Sequence, residues 1–91
     1  MKTVVLIEED NHGLIGVAKD YTSAVIFLIK KGWLDENYEV WVDNEDGLTK
    51  TIKELLGEEW KEVVFSWSLE KFNEFFDGSF YLNIEKVYGA D

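Results

Sequence analysis

The sequence has no cysteine, no proline and no arginine, and its one histidine is His12. Without cysteine there is no disulfide, no thiolate metal site and no cysteine nucleophile. Without proline there is no Pro-rich linker or polyproline ligand. Without arginine the chain lacks the fork that contacts phosphate or guanine through two parallel hydrogen bonds. Long hydrophobic runs are missing too. The longest, Ala24 to Ile29, is far short of the roughly 20 residues that span a bilayer. At the N-terminus, Val4 to Ile7 is followed at once by Glu8, Glu9 and Asp10, too short for the roughly 7–15-residue apolar stretch of a secretory signal. These absences lead us to expect a cytoplasmic protein with no membrane contact.

What is present suits one compact domain over residues 1–91. The chain is 46% hydrophobic and 15% aromatic, enough apolar material to exclude wholesale disorder. A chain of this size buries roughly 60–65% of its unfolded surface and needs no covalent staple. Net charge is −10, and it is concentrated. Residues 1–31 balance four acids with four lysines, whereas residues 32–91 carry fifteen acids against five lysines. A body this acidic repels phosphate backbones and anionic lipid, so direct nucleic-acid binding is not expected and basic proteins or cations are the expected partners.

Hydropathy patterning predicts a small α+β domain of about four mostly antiparallel strands and two to three helices, in the order β-β-α-β-α-α-β. Thr3 to Glu8 reads as a strand that is apolar on both faces, the pattern of a doubly covered central strand. Asp10 to Gly13 is a turn leading to a second strand, Leu14 to Ala18, in which Gly16 marks a bulge or a close backbone approach. Asp20 or Thr22 caps a helix through Ile29, with Lys30 and Lys31 at its negative end. Gly32 sits at the left-handed position, and Trp33 folds back against Leu28.

Tyr38 to Val42 alternates as a third strand, with Trp41 on the face opposite Tyr38, Val40 and Val42. Thr51-Ile52-Lys53-Glu54 is a capping box opening a helix whose apolar spacing runs to about Ser66. Gly57 is the position for a break or kink, and Val63 to Phe65 is open to a strand reading. Ser68 caps a last short helix, Leu69 to Phe76. Phe80, Leu82 and Ile84 alternate in the closing strand.

The segment Asn11-His12-Gly13-Leu14-Ile15-Gly16-Val17-Ala18 and the segment Phe72-Asn73-Glu74-Phe75-Phe76-Asp77-Gly78-Ser79-Phe80-Tyr81 resemble small acidic proteins of Gram-positive bacteria, their phages and mobile elements. That group has no assigned activity. The resemblance implies an accessory or mobile-element setting and transfers no functional residue.

Motifs for chemistry are sparse. His12 lies near Glu8, Glu9 and Asp10, but no nucleophile accompanies it, so a turn histidine is the expected reading. Asp43 to Gly47 with Glu54 has part of the pattern of a calcium-binding loop. Its glycine falls at position 5 instead of 6, and an acidic hairpin turn is expected there. No catalytic residue, metal or cofactor is expected.

Two carboxylate stripes stand out. On a continuous helix, Glu54, Glu58 and Glu62 share one face at i, i+4, i+8, and Glu70, Glu74 and Asp77 repeat the spacing on the next helix. Steps of about 6 Å along a helix axis approach the phosphate spacing of a nucleic-acid strand. The expected function is therefore a non-enzymatic, acidic protein-binding module, with nucleic-acid mimicry toward a basic partner as its sharpest form and Trp41 as an aromatic anchor. The alternative is a self-associating structural protein, a homodimer through surplus aromatics.

Overall fold

A computed structural model of the chain describes residues 2–41 and 48–87. The elements are β1 (Lys2–Glu9), β2 (Gly13–Ala18), α1 (Tyr21–Lys30), β3 (Glu39–Trp41), β4 (Thr49–Thr51), α2 (Ile52–Leu56), α3 (Trp60–Ser66), α4 (Leu69–Phe75) and β5 (Phe80–Val87). The protein is α+β, with two antiparallel sheets among the described residues.

The larger sheet has the order β2-β1-β5, so β1 is central, as the sequence predicts. Among the described residues it is covered on one face only. Val5 and Ile7 are buried beneath the helices together with Phe80 and Leu82 of β5, while Val4 and Leu6 face the other way and keep part of their surface in solvent. Apolar residues on both faces of β1 led to an expectation of double cover, whereas the described residues cover one face and leave Val4 and Leu6 half-buried on the other. Both readings of Gly16 hold. Ile7 pairs with Gly16 and Glu8 with Leu14, leaving Ile15 as the extra residue of a bulge. The Phe27 ring lies so close to Gly16 that a Cβ there would stand 2.5 Å from Cζ.

Helix α1 has the ends its sequence specifies. The Asp20 carboxylate accepts from the Ser23 amide at 2.8 Å. At the other end Gly32 takes φ +79°, and the Trp33 amide reaches back to the Leu28 carbonyl at 2.9 Å. Of the predicted strand at Tyr38–Val42, Glu39–Trp41 is strand, Tyr38 precedes it and Val42 lies outside the described residues; it pairs with β4, a strand the sequence reading did not separate from its surroundings. This hairpin is a sheet of its own. Tyr38 packs its ring on Phe76 and Phe80, which fixes the hairpin on the core side of the large sheet.

The predicted helix over 52–66 is two helices. Gly57, at φ +86° and ψ −172°, ends α2, and the chain turns through Glu58 and Glu59 before α3 begins. That backbone conformation is essentially reserved for glycine. Val63 to Phe65 is helical. Phe72, Phe76, Phe80 and Leu82 close the core against Val25, Leu28 and Val64, and the Phe75 and Phe80 rings meet Phe76 edge to face.

Candidate functional site

The break at Gly57 dismantles the first predicted stripe. Glu54 lies on α2, Glu58 in the turn and Glu62 on α3, so they do not occupy one helix face. Glu70 and Glu74 do share α4, one turn apart, but Asp77 lies past its end. All six carboxylates are exposed, and five have local structural work. Glu54 closes the capping box, accepting from the Thr51 amide at 2.9 Å, and the Thr51 bonds hold its carboxyl below the ordinary value. Lys53 places its ammonium 3.7 Å from Glu36 and 3.9 Å from Glu58. Glu62 and Glu70 sit in the first turns of their helices, where the dipole favours an anion. Glu74 lies 3.6 Å from Lys71.

The turn between β1 and β2 holds the one histidine. His12 Nδ1 and Glu9 Oε1 are 2.6 Å apart, and the same Glu9 oxygen accepts from the Asn11 amide at 2.9 Å. The hydrogen bond from His12 leads the causes that lower the Glu9 carboxyl below its ordinary value. The His12 ring meets Trp33 edge-on at 5.1 Å. This is the bonding of a turn. A hollow of about 300 Å³ beside it is lined by Glu8, Glu9, Asp10 and Tyr81, yet Glu9 is already committed to His12 and Asn11. A second hollow of about 380 Å³ has Ile29, Leu34 and Trp60 on its floor, with Asp35, Glu36, Glu58 and Lys61 at its rim. Among the described residues no three metal-binding side chains converge. The calcium-like segment Asp43–Gly47 lies outside the described residues.

Trp41 is where the sequence reading placed it. Val40 points inward and is buried, and Trp41 beside it is 64% exposed, the most exposed of the large hydrophobic side chains described. Leu48, missed by the sequence reading, is 55% exposed just before β4, whose Thr49 pairs with Trp41. A tryptophan and a leucine thus stand in solvent at one end of the small hairpin. Beside them the exposed Glu39 carboxylate accepts from the Thr49 hydroxyl at 2.7 Å.

Comparison of the chain with protein-family models, with curated proteins and with solved structures finds no match in any of the three. No helix of the described residues is long and apolar enough to cross a membrane.

Proposed function

We propose that the protein is a non-enzymatic binding module that docks a basic protein partner through the β3–β4 hairpin. The observation that carries this reading is Trp41, 64% exposed on a strand paired with β4. Leaving an indole in water forgoes burial free energy of a few kcal/mol, and large aromatics are the usual anchors at protein interfaces. Leu48 enlarges the apolar contact, and fifteen acids against five lysines in residues 32–91 supply the field that attracts a cationic surface. Nucleic-acid mimicry in its stripe form loses its geometric support at Gly57, so the docking element moves from the helices to the hairpin. The resemblance to small proteins of Gram-positive bacteria, their phages and mobile elements makes a Gram-positive lysate the source of candidate partners.

The test is affinity capture from such a lysate, with the wild-type chain and Trp41→Ala as baits. It is run at about 50 mM and about 500 mM salt, with and without added DNA. A basic protein retained by wild type at low salt, released at high salt and lost with Trp41→Ala supports the reading. Displacement of that protein by DNA adds that it uses its nucleic-acid surface. Equal capture by both baits, or capture insensitive to salt, overturns it.

A further inference from the structure

The face of the large sheet turned away from the helices carries its own pattern. Pairing of β1 with β5 builds four successive rows on that face: Lys2 with Val87, Val4 with Glu85, Leu6 with Asn83, and Glu8 with Tyr81. Along the β2 edge the bulge brings Leu14 and Val17 onto the same face, opposite Glu8 and Leu6. No described element lies over this surface. Leu14, Val17 and Tyr81 are 59%, 54% and 52% exposed.

The four rows are complementary to their own reversal. When a second sheet is laid face to face across a two-fold axis perpendicular to the strands, the first row meets the fourth and the second meets the third. Lys2 then faces Glu8 of the other copy, Val87 faces Tyr81, Val4 faces Leu6, and Glu85 faces Asn83, whose amide also donates to Glu85 of its own chain at 3.1 Å. Each row finds an opposite charge, an apolar partner or a hydrogen-bonding partner. A two-fold axis along the strands would instead set Lys2 against Lys2 and Glu8 against Glu8. We infer that this face is a self-association surface, occupied by a second copy of the chain with antiparallel central strands. Its geometry is that of aligned sheet packing, with the two faces about 10 Å apart.

The size of the face sets the strength. Eight residues at about 3.4 Å and three strands at about 4.8 Å give at most roughly 390 Å² per copy. The pair buries less than the roughly 1,200–2,000 Å² of stable complexes, so the dimer is weak. Two chains at net −10 also repel one another, and salt screens that repulsion together with the Lys2–Glu8 pairs. The surface is separate from the Trp41 hairpin, which packs on the core side, and it stands or falls independently of the partner reading.

The experiment is sedimentation equilibrium of the full chain up to about 1 mM, on wild type, Lys2→Glu, Glu8→Lys and an equimolar mixture of the two variants. Circular dichroism checks that each variant is folded. Each single swap places like charges in the contact and weakens self-association about 3- to 10-fold. In the mixture, the two acids at these positions in one variant meet the two lysines of the other, and association recovers. Should one variant fail to fold, Val17→Lys on the exposed β2 edge replaces it and also weakens the dimer. A chain that stays monomeric throughout overturns the inference, and so does a dimer indifferent to these substitutions.

Discussion

At the scale of single residues, the tightest constraint is the contact of Gly16 with Phe27. A methyl group at 16 would sit 2.5–2.9 Å from three atoms of the ring, closer than carbon atoms approach. The ring must rotate or the strand must shift, and overpacking of this kind costs about 1–3 kcal/mol. Gly16→Ala is therefore expected to lower the urea midpoint. Adding Phe27→Leu, which removes the obstructing ring, is expected to recover part of the loss beyond additivity in a double-mutant cycle. The sequence announced Gly16 as a special position, because glycine inside a strand means a bulge or a close approach. It could not reveal the bulge's other consequence. Strict alternation puts Leu14 and Val17 on opposite faces, and only the extra residue Ile15 brings them together. The apolar strip on the outer sheet face was illegible for that reason.

At the scale of elements, local signals were read well and long-range pairing was not. Asp20, Gly32, Thr51 with Glu54, and Ser68 all end or begin helices as their side-chain chemistry dictates. The strand β4, three residues of Thr-Lys-Thr, carries no apolar alternation. It exists because β3 pairs with it. The course of residues 52–66 was decided by one torsion. Apolar spacing favours a continuous helix, but Gly57 allows a backbone angle that lets the chain leave α2, turn and start α3. Since nothing lies within 4 Å of a Cβ built at Gly57, substitution there tests the backbone alone. Gly57→Ala is expected to destabilise by about 1–3 kcal/mol through strain, measured by chemical denaturation.

At the scale of the whole molecule, charge governs the response to pH. Glu9, Asp20 and Glu54 all have carboxyls held below their ordinary values by hydrogen bonds: from His12 to Glu9, from Ser23 to Asp20 and from Thr51 to Glu54. A carboxyl lowered on folding contributes stability that is present above its unfolded value. That contribution is lost as pH falls through its folded value. Wild type is thus expected to be more stable than Glu54→Gln at neutral pH, with the gap closing below about pH 4. Thermal melts across pH measure it. Tyr21 works at the other end. Burial pushes its phenol up to about 12 while its hydroxyl donates to the Val64 carbonyl at 2.6 Å. Its contribution is intact below about pH 10 and disappears as pH rises toward 12.

The rim of β5 has a further consequence. The Asn73 side-chain amide accepts from the Leu82 amide at 2.8 Å and donates to the Leu82 carbonyl at 2.9 Å, and the Phe80 amide is taken by the Phe76 carbonyl. An asparagine on a helix thus fills the place where a further strand would attach, over the stretch of β5 that holds its most apolar residues. Such a plug prevents that part of the sheet from recruiting chains sideways into a fibril.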